Sequence, residues 1–398
     1  MLIQDKYHVT YCSNIHPGED WKTTFHNLKE YIPKVKAEIS NDAPFGIGLR
    51  LSNAASIQLD QGSNLEDFKN WLVQNECYVF TMNGFPFGEF HNTQVKDKVH
   101  APDWTTSERV DYTKRLFKQL AFLLPNGMSG GISTSPVSYK HWYSSKEELT
   151  SAFKTGSNHL AEVVIYLEGL ERETGKFLHL DIEPEPDGLL ENTKEFVDFY
   201  KNYLLPIASE EICSKLGLNE KEAEKLIKRH ITLCYDICHY SLAFEEPTYT
   251  FGQMKKEGIN IGKIQVSSAL KIIFDKENED QIWKSLERFN EPTYLHQVTE
   301  KRDGKVRVYN DLPMVLNNRK AHQELRAHFH VPIFLERFDD LYSTQDQIIK
   351  TLDYLKEHSI TEHLEVETYT WDVLPETLKV DLGQSIIREL IWLKERIV

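Results

Sequence analysis

The stretch FLHLDIEPEPDG, residues 177–188, reads as a short buried strand that runs out into a loop of carboxylates and prolines. Its apolar first half carries β-favouring spacing, and the prolines with Gly188 end the run. The same grammar recurs along the chain: YHVTYC at 7–12, FGIGLRLS at 45–52, CYVFTMN at 77–83, SGGIST at 129–134, ITLCYD at 231–236, IGKIQVSS at 261–268 and LEVETY at 364–369. With the first stretch they make eight candidate strands. Between them lie segments with helical apolar spacing, such as TTFHNLKEYIPKVKAEI, NLEDFKNWLVQN, SERVDYTKRLFKQLAFLL, NTKEFVDFYKNYLLPIA, NEKEAEKLIKRH and TQDQIIKTLDYLKEH, several opening on a Ser, Thr or Asn cap. Eight such alternations predict a closed barrel or a doubly wound sheet. No GxGxxG follows the first strand, which disfavours the dinucleotide-binding alternative. The expected architecture is α/β, a (β/α)8 TIM barrel with insertions in the later βα loops. A ninth apolar run, AHFHVPIF at 327–334, follows a long polar stretch from about 275 to 325. Pro332 disfavours a central ladder position, so this run is expected as a loop or short edge element of that insertion.

Bulk properties agree with one large globular unit. The 398 residues suit an elaborated barrel, and 40% hydrophobic content supports a sizeable core. No repeat or linker divides the chain, so a single domain spanning 1–398 is expected. A formal charge of −15 argues against nucleic acid and anionic lipid as partners. The absence of a signal-like start or a long apolar span predicts a soluble cytoplasmic protein without membrane insertion. Five cysteines without a paired spacing fit reduced thiols, and Cys234 and Cys238 read as small buried hydrophobes.

In a barrel, polar residues at the C-terminal strand ends carry the chemistry. Here those ends hold Glu183 and Glu185 after the fifth strand, Asp236 and His239 after the sixth, and Glu365 and Glu367 on the eighth; the later insertion adds Arg326, His328 and His330. Oxygen and imidazole donors converging from different strands are what a divalent cation requires. Each cluster alone has a bland reading, a solvated rim carboxylate or a surface HxH. Four together at strand ends point to a metal site. Around it, Asn14, His16, Arg50, Asn83, His91, Ser133 and Thr134 are placed to hydrogen-bond a polyol or phosphate, although each taken singly reads as structural. NGFPFGEFH, Trp104 and Trp371 offer aromatic surface for a substrate, or simply packing.

Glu-Pro at the fifth strand, Asp236-Ile-Cys-His239 as an approximate Asp-x-x-x-His, and Glu-Thr at the eighth strand resemble the xylose-isomerase-like superfamily of sugar isomerases, ketose 3-epimerases and endonuclease IV. More narrowly, YCSNIHPGEDW, NGFPFGEFH, GGISTSP, CYDICHYSLAFE, KIQVSSAL, RAHFHVPIF and EVETYTW resemble the EboE family of metabolite-traffic proteins. The resemblance implies Glu183 and Glu367 as metal-binding carboxylates that flank substrate, Asp236 as a third ligand, and His239 as a substrate contact or, in the nuclease branch, a further ligand. It also implies a seventh-strand histidine, where this chain has Gln265, a neutral and weaker donor. His328 and His330 resemble the histidine-bearing loop of the nuclease branch and are expected as accessory ligands, with Arg326 beside them as a substrate contact.

The function expected from this reading is a metal-dependent isomerase or epimerase, with Zn, Mn or Mg as cofactor, acting on a sugar, sugar phosphate or related hydroxy-carbonyl metabolite. Glu183 and Glu367 are the acid/base pair. The alternatives are a non-catalytic metabolite-binding or traffic protein on the same barrel and, less favoured, an endonuclease IV-like phosphodiesterase.

Overall fold

Residues 1–88, 96–370, 374 and 381–397 are described in a computed structural model. Eight parallel strands form the barrel: β1 (Tyr7–Tyr11), β2 (Phe45–Arg50), β3 (Cys77–Asn83), β4 (Gly130–Thr134), β5 (Leu178–Ile182), β6 (Ile231–Asp236), β7 (Ile261–Val266) and β8 (His363–Val366). They run in the order β1-β8-β7-β6-β5-β4-β3-β2, with a short antiparallel strand Leu2–Ile3 outside β1. All eight candidate strands therefore exist, each within a few residues of its expected bounds. The seam between β1 and β2 is the weakest. It is held by the parallel bridge Cys12–Gly48 and by Thr10, whose hydroxyl donates to the Gly46 carbonyl at 2.7 Å and accepts from the Gly48 amide at 3.1 Å.

Two of the surrounding helices start at side-chain caps read from the sequence. Asn219 makes a reciprocal capping box with Glu222 at the head of Glu220–His230, and Asn192 caps Thr193–Phe199. Ser145 does the same with Glu148 for Lys146–Thr174, a long helix after β4. Among the described residues no helix is long and apolar enough to cross a membrane.

The barrel interior is polar below its mouth. Lys263 on β7 donates to Glu365 on β8 at 2.6 Å and to Ser133 on β4 at 3.0 Å, with the lysine and the glutamate both wholly buried. Two glycines make this possible. A Cβ on Gly48 would stand 1.9 Å from Glu365 Oε1, and one on Gly262 would stand 2.0 Å from Asp181 Oδ1. The hydrogens of these residues leave the room the charged side chains fill.

Between β7 and β8 lies the large insertion. It forms a second, antiparallel sheet in the order Lys305–Tyr309, Val298–Arg302, Glu324–Ala327, Leu270–Ile273, Leu341–Ser343, Arg337–Phe338. Apart from Ala327, the run at 327–334 is a loop, as expected. The strand that feeds it, Glu324–Ala327, pairs on both sides and is not an edge. Pro332 falls in the turn beyond it, where no ladder hydrogen bond is asked of it.

Candidate metal and substrate site

Three carboxylates meet at the C-terminal mouth of the barrel. Glu183 follows β5, Asp236 ends β6 and Glu367 follows β8; one oxygen from each lies within 4.8 Å of the others, and all three side chains are buried. Neighbours hold two of them in place. Asp236 Oδ1 caps the short helix Ile237–Leu242, accepting from the His239 amide at 3.0 Å and from Ser267 Oγ at 2.8 Å. Glu367 Oε1 accepts from Asn14 Nδ2 at 2.8 Å and Asn83 Nδ2 at 2.9 Å. Burial, and after it the charges of Glu367 and Asp236, push the Glu183 carboxyl well above its ordinary range. Burial followed by Asp236 and Glu365 does the same to Glu367. Asp236 goes the other way, because His239, His330 and the hydrogen bonds from Ser267 and the His239 amide outweigh its burial. Glu183 Oε2 and Asp236 Oδ2 find no hydrogen-bond partner among the described residues. Three buried acids, two of them with an open oxygen, are costly unless a cation joins them.

The histidines beside them are set up as donors of lone pairs. His239 Nδ1 lies 3.0 Å from the Pro184 carbonyl, and His330 Nδ1 lies 2.9 Å from the Glu367 carbonyl. His328 Nδ1 lies 2.9 Å from Gln297 Oε1, whose own amide nitrogen is committed to Asp187 and the Pro186 carbonyl. Each partner is an acceptor, so each Nδ1 carries the hydrogen and each Nε2 presents its lone pair. Burial lowers all three, His239 to about 4, so the rings are neutral near pH 7. His330 Nε2 has no hydrogen-bond partner among the described residues. Asp236 with His239 and His330, and Glu185 with His239 and His328, each bring their donor atoms within 4.8 Å. Carbonyl-oriented, neutral imidazoles among carboxylates fit a divalent cation.

Gln265 occupies the barrel wall in register with Asp236 on one side and Glu365 on the other. Its carbonyl oxygen already accepts from the Cys234 thiol at 3.2 Å, which weakens it as a ligand. Glu365 is likewise spoken for by Lys263 and lies below the mouth.

A cavity opens above the carboxylates. Glu183, Glu185, Glu367, His239, His328, Asn14 and Asn83 face it from the barrel side. Phe85, Val99, His100, Tyr139, Tyr294 and Tyr369 add the walls. Of the expected substrate contacts, Asn14, Asn83 and His239 line this space, and five others do not. His16 and Arg50 border a separate crevice; His16 stacks on Tyr31 at 4.3 Å, and Arg50 pairs with Glu19 at 3.3 Å. Arg326 turns to the Ser241 carbonyl at 2.6 Å and to Glu324. Ser133 and Thr134 serve Lys263 and the wholly buried Trp104. His91 and Trp371 lie outside the described residues. Conversely, Tyr294 and Gln297 come from the polar insertion, where no local pattern marked them.

No known protein-family pattern and no curated protein matches the chain in sequence. Solved structures do match in fold. A xylose isomerase-like TIM barrel protein from Mycobacterium smegmatis, solved in complex with magnesium, is 9% identical over 100% of both chains, with a TM-score of 0.52. A D-tagatose 3-epimerase-like protein is 10% identical over 98% of this chain and 97% of its own, with a TM-score of 0.51. At such identities the likeness is one of architecture: the chain has a xylose isomerase-like TIM-barrel fold.

Proposed function

We propose that the chain is a metal-dependent isomerase or epimerase that moves a proton on a hydroxy-carbonyl metabolite. The observation that supports it best is the set of Glu183, Asp236 and Glu367, three buried carboxylates within 4.8 Å at the base of one cavity. Glu183, Asp236 and Glu367 would hold the cation with His239, His328 and His330 beside them; imidazole favours zinc, and carboxylate manganese or magnesium. When bound, it supplies Lewis acidity that polarises a carbonyl oxygen and offsets charge developing there.

The protein's own groups do the rest. Glu183 and Glu367 stand on well-separated strands with the cavity between their loops, so one takes a proton from a substrate carbon and the other returns one. Each glutamate offers a carboxylate oxygen for the transfer, one as base and the other as acid. Asn14 and Asn83 fix Glu367 through one oxygen and thereby aim the other. Neutral His239 and His328 are placed to orient hydroxyls, and the aromatic walls exclude water that would quench a carbanion-like intermediate.

The test is deuterium wash-in from D2O to unphosphorylated ketoses and their phosphates, using wild type, Glu183→Gln and Glu367→Gln. Exchange in the wild type and its loss in both variants is the expected result. Exchange at the wild-type rate in both variants defeats the assignment.

One observation favours a second reading. Gln265 stands where the resemblance calls for histidine, and its carbonyl is already engaged by Cys234. A barrel that binds a metabolite and passes it on, as the likeness to metabolite-traffic proteins suggests, needs no complete ligand set. Under that reading ligand is recovered unchanged from D2O and binds without metal.

A further inference from the structure

Rings wall the cavity above the carboxylates. On one side Phe85, His100 and Tyr139 follow one another, with centroids 5.5 Å and then 5.1 Å apart. On the other, Tyr294 and Tyr369 meet edge to face at 5.5 Å. Val99 packs on Tyr294 and precedes His100 in the chain, which joins the two walls. Tyr294 reaches the site only because the insertion after β7 carries it there.

Charge in the cavity is arranged against an anion. A phosphate ester is normally gripped by arginines, lysines or a helix N-terminus. The described lining carries Asp97, Glu183, Glu185 and Glu367 against one lysine, Lys96, which lies 3.8 Å from the Asp311 carboxylate. Arg50 and Arg326 are engaged elsewhere, by Glu19 and by Ser241 with Glu324. Of the segments outside the description, 89–95 contains no lysine or arginine and 371–380 contains only Lys379. A phosphate entering the cavity would meet four acidic side chains and, among the described lining residues, no lysine or arginine but the Asp311-paired Lys96.

We propose that the cavity selects an uncharged hydroxy-carbonyl compound bearing an aromatic or similarly flat apolar substituent, and that it discriminates against phosphorylated sugars. The hydroxy-carbonyl end rests on the isomerase reading. The substituent and the charge rest on the walls alone: flat apolar surface packs against the rings, and the insertion exists to complete that wall.

The experiment is calorimetric titration of the manganese-loaded full chain with dihydroxyacetone, dihydroxyacetone phosphate and 2-hydroxyacetophenone. These share one hydroxyketone and differ in charge and in an aryl group. The aryl ketone is expected to bind at least about tenfold tighter than dihydroxyacetone, and the phosphate no tighter. Tyr294→Ala, or Tyr294→Leu should the alanine variant fail to fold, should erase the aryl advantage. A phosphate that binds about tenfold tighter than dihydroxyacetone, an aryl ketone that gains nothing, or no binding by any of the three overturns the proposal. Deuterium wash-in to the same compounds separates it from the isomerase reading. The expected binding order without exchange removes the isomerase and leaves the selectivity; exchange with the opposite order does the reverse.

Discussion

The Nε2 atoms of His239 and His328 stand 3.1 Å apart, while each ring's Nδ1 faces an oxygen that only accepts. Two lone pairs so close repel unless a positive centre lies beside them, and a Glu185 oxygen reaches the same point. Metal binding to the native state should therefore stabilise it, by about 2.7 kcal/mol at a concentration one hundred times Kd. Chelation should lower the thermal midpoint, zinc or manganese should restore it, and His328→Ala should shrink the difference. Superimposable unfolding curves with and without chelator count against a bound cation.

Glu183→Gln tests the carboxylates through stability as well as activity. In metal-free protein the glutamine removes one of three mutually repelling acids, so the variant is expected to unfold later than wild type, by roughly 1–3 kcal/mol. With metal the order should invert. A destabilised metal-free variant contradicts the idea that these acids await a cation.

Asn14 and Asn83 both donate to one oxygen of Glu367. Hydrogen bonds to a charged acceptor contribute roughly 1.5–3 kcal/mol each, so Asn83→Ala should slow solvent exchange by about ten- to a hundredfold. The loss should appear in kcat rather than in KM. Unaltered kcat would mean that Glu367 needs no such support.

Lys263 and Glu365 form a wholly buried pair at 2.6 Å. Lys263→Met strands the glutamate and should cost about 3–5 kcal/mol, whereas Lys263→Met with Glu365→Leu should recover much of it. Gly48→Ala should be destabilising as well, since its Cβ would fall 1.9 Å from Glu365 Oε1. Urea midpoints decide each case, and a double variant no better than the single one refutes the pairing argument.

Glu389, on the helix Leu382–Ile397, is pushed up to about 8 by burial, against the hydrogen bonds from Thr368 and the Ile333 amide. Its folded value lies above the unfolded 4.5, so the native state holds the extra proton. Stability from this group is complete below pH 4.5 and is lost as pH rises towards about 8, at roughly 1.4 kcal/mol per unit. Glu389→Gln keeps an acceptor for both donors and should flatten that slope. A slope unchanged in the variant assigns it to other groups.

Much of this molecule is written in local pattern. The barrel strands are short β-favouring runs that end in polar residues, and closing them brings Glu183, Asp236 and Glu367 together without further information. The helix starts at Asn192 and Asn219 were readable because a cap acts on amides two or three residues away. The second sheet was not readable. Its strand KVRVY at Lys305–Tyr309 is largely exposed, with no buried face to impose alternation.

Strand ends told where chemistry belongs, and there residue order was enough, since a barrel collects all eight C-terminal ends at one mouth. Which long side chains turn into that mouth was settled only by tertiary packing. Arg50 and Arg326 sit close to it in the chain, yet a guanidinium leaving water goes to whatever acceptors the folded chain offers, and those are Glu19 and the Ser241 carbonyl. The histidine tautomers and the tyrosine walls belong to the same class. Each depends on partners as distant in sequence as Glu367 is from His330, or Tyr369 from Tyr294, and three-dimensional closure alone supplies them.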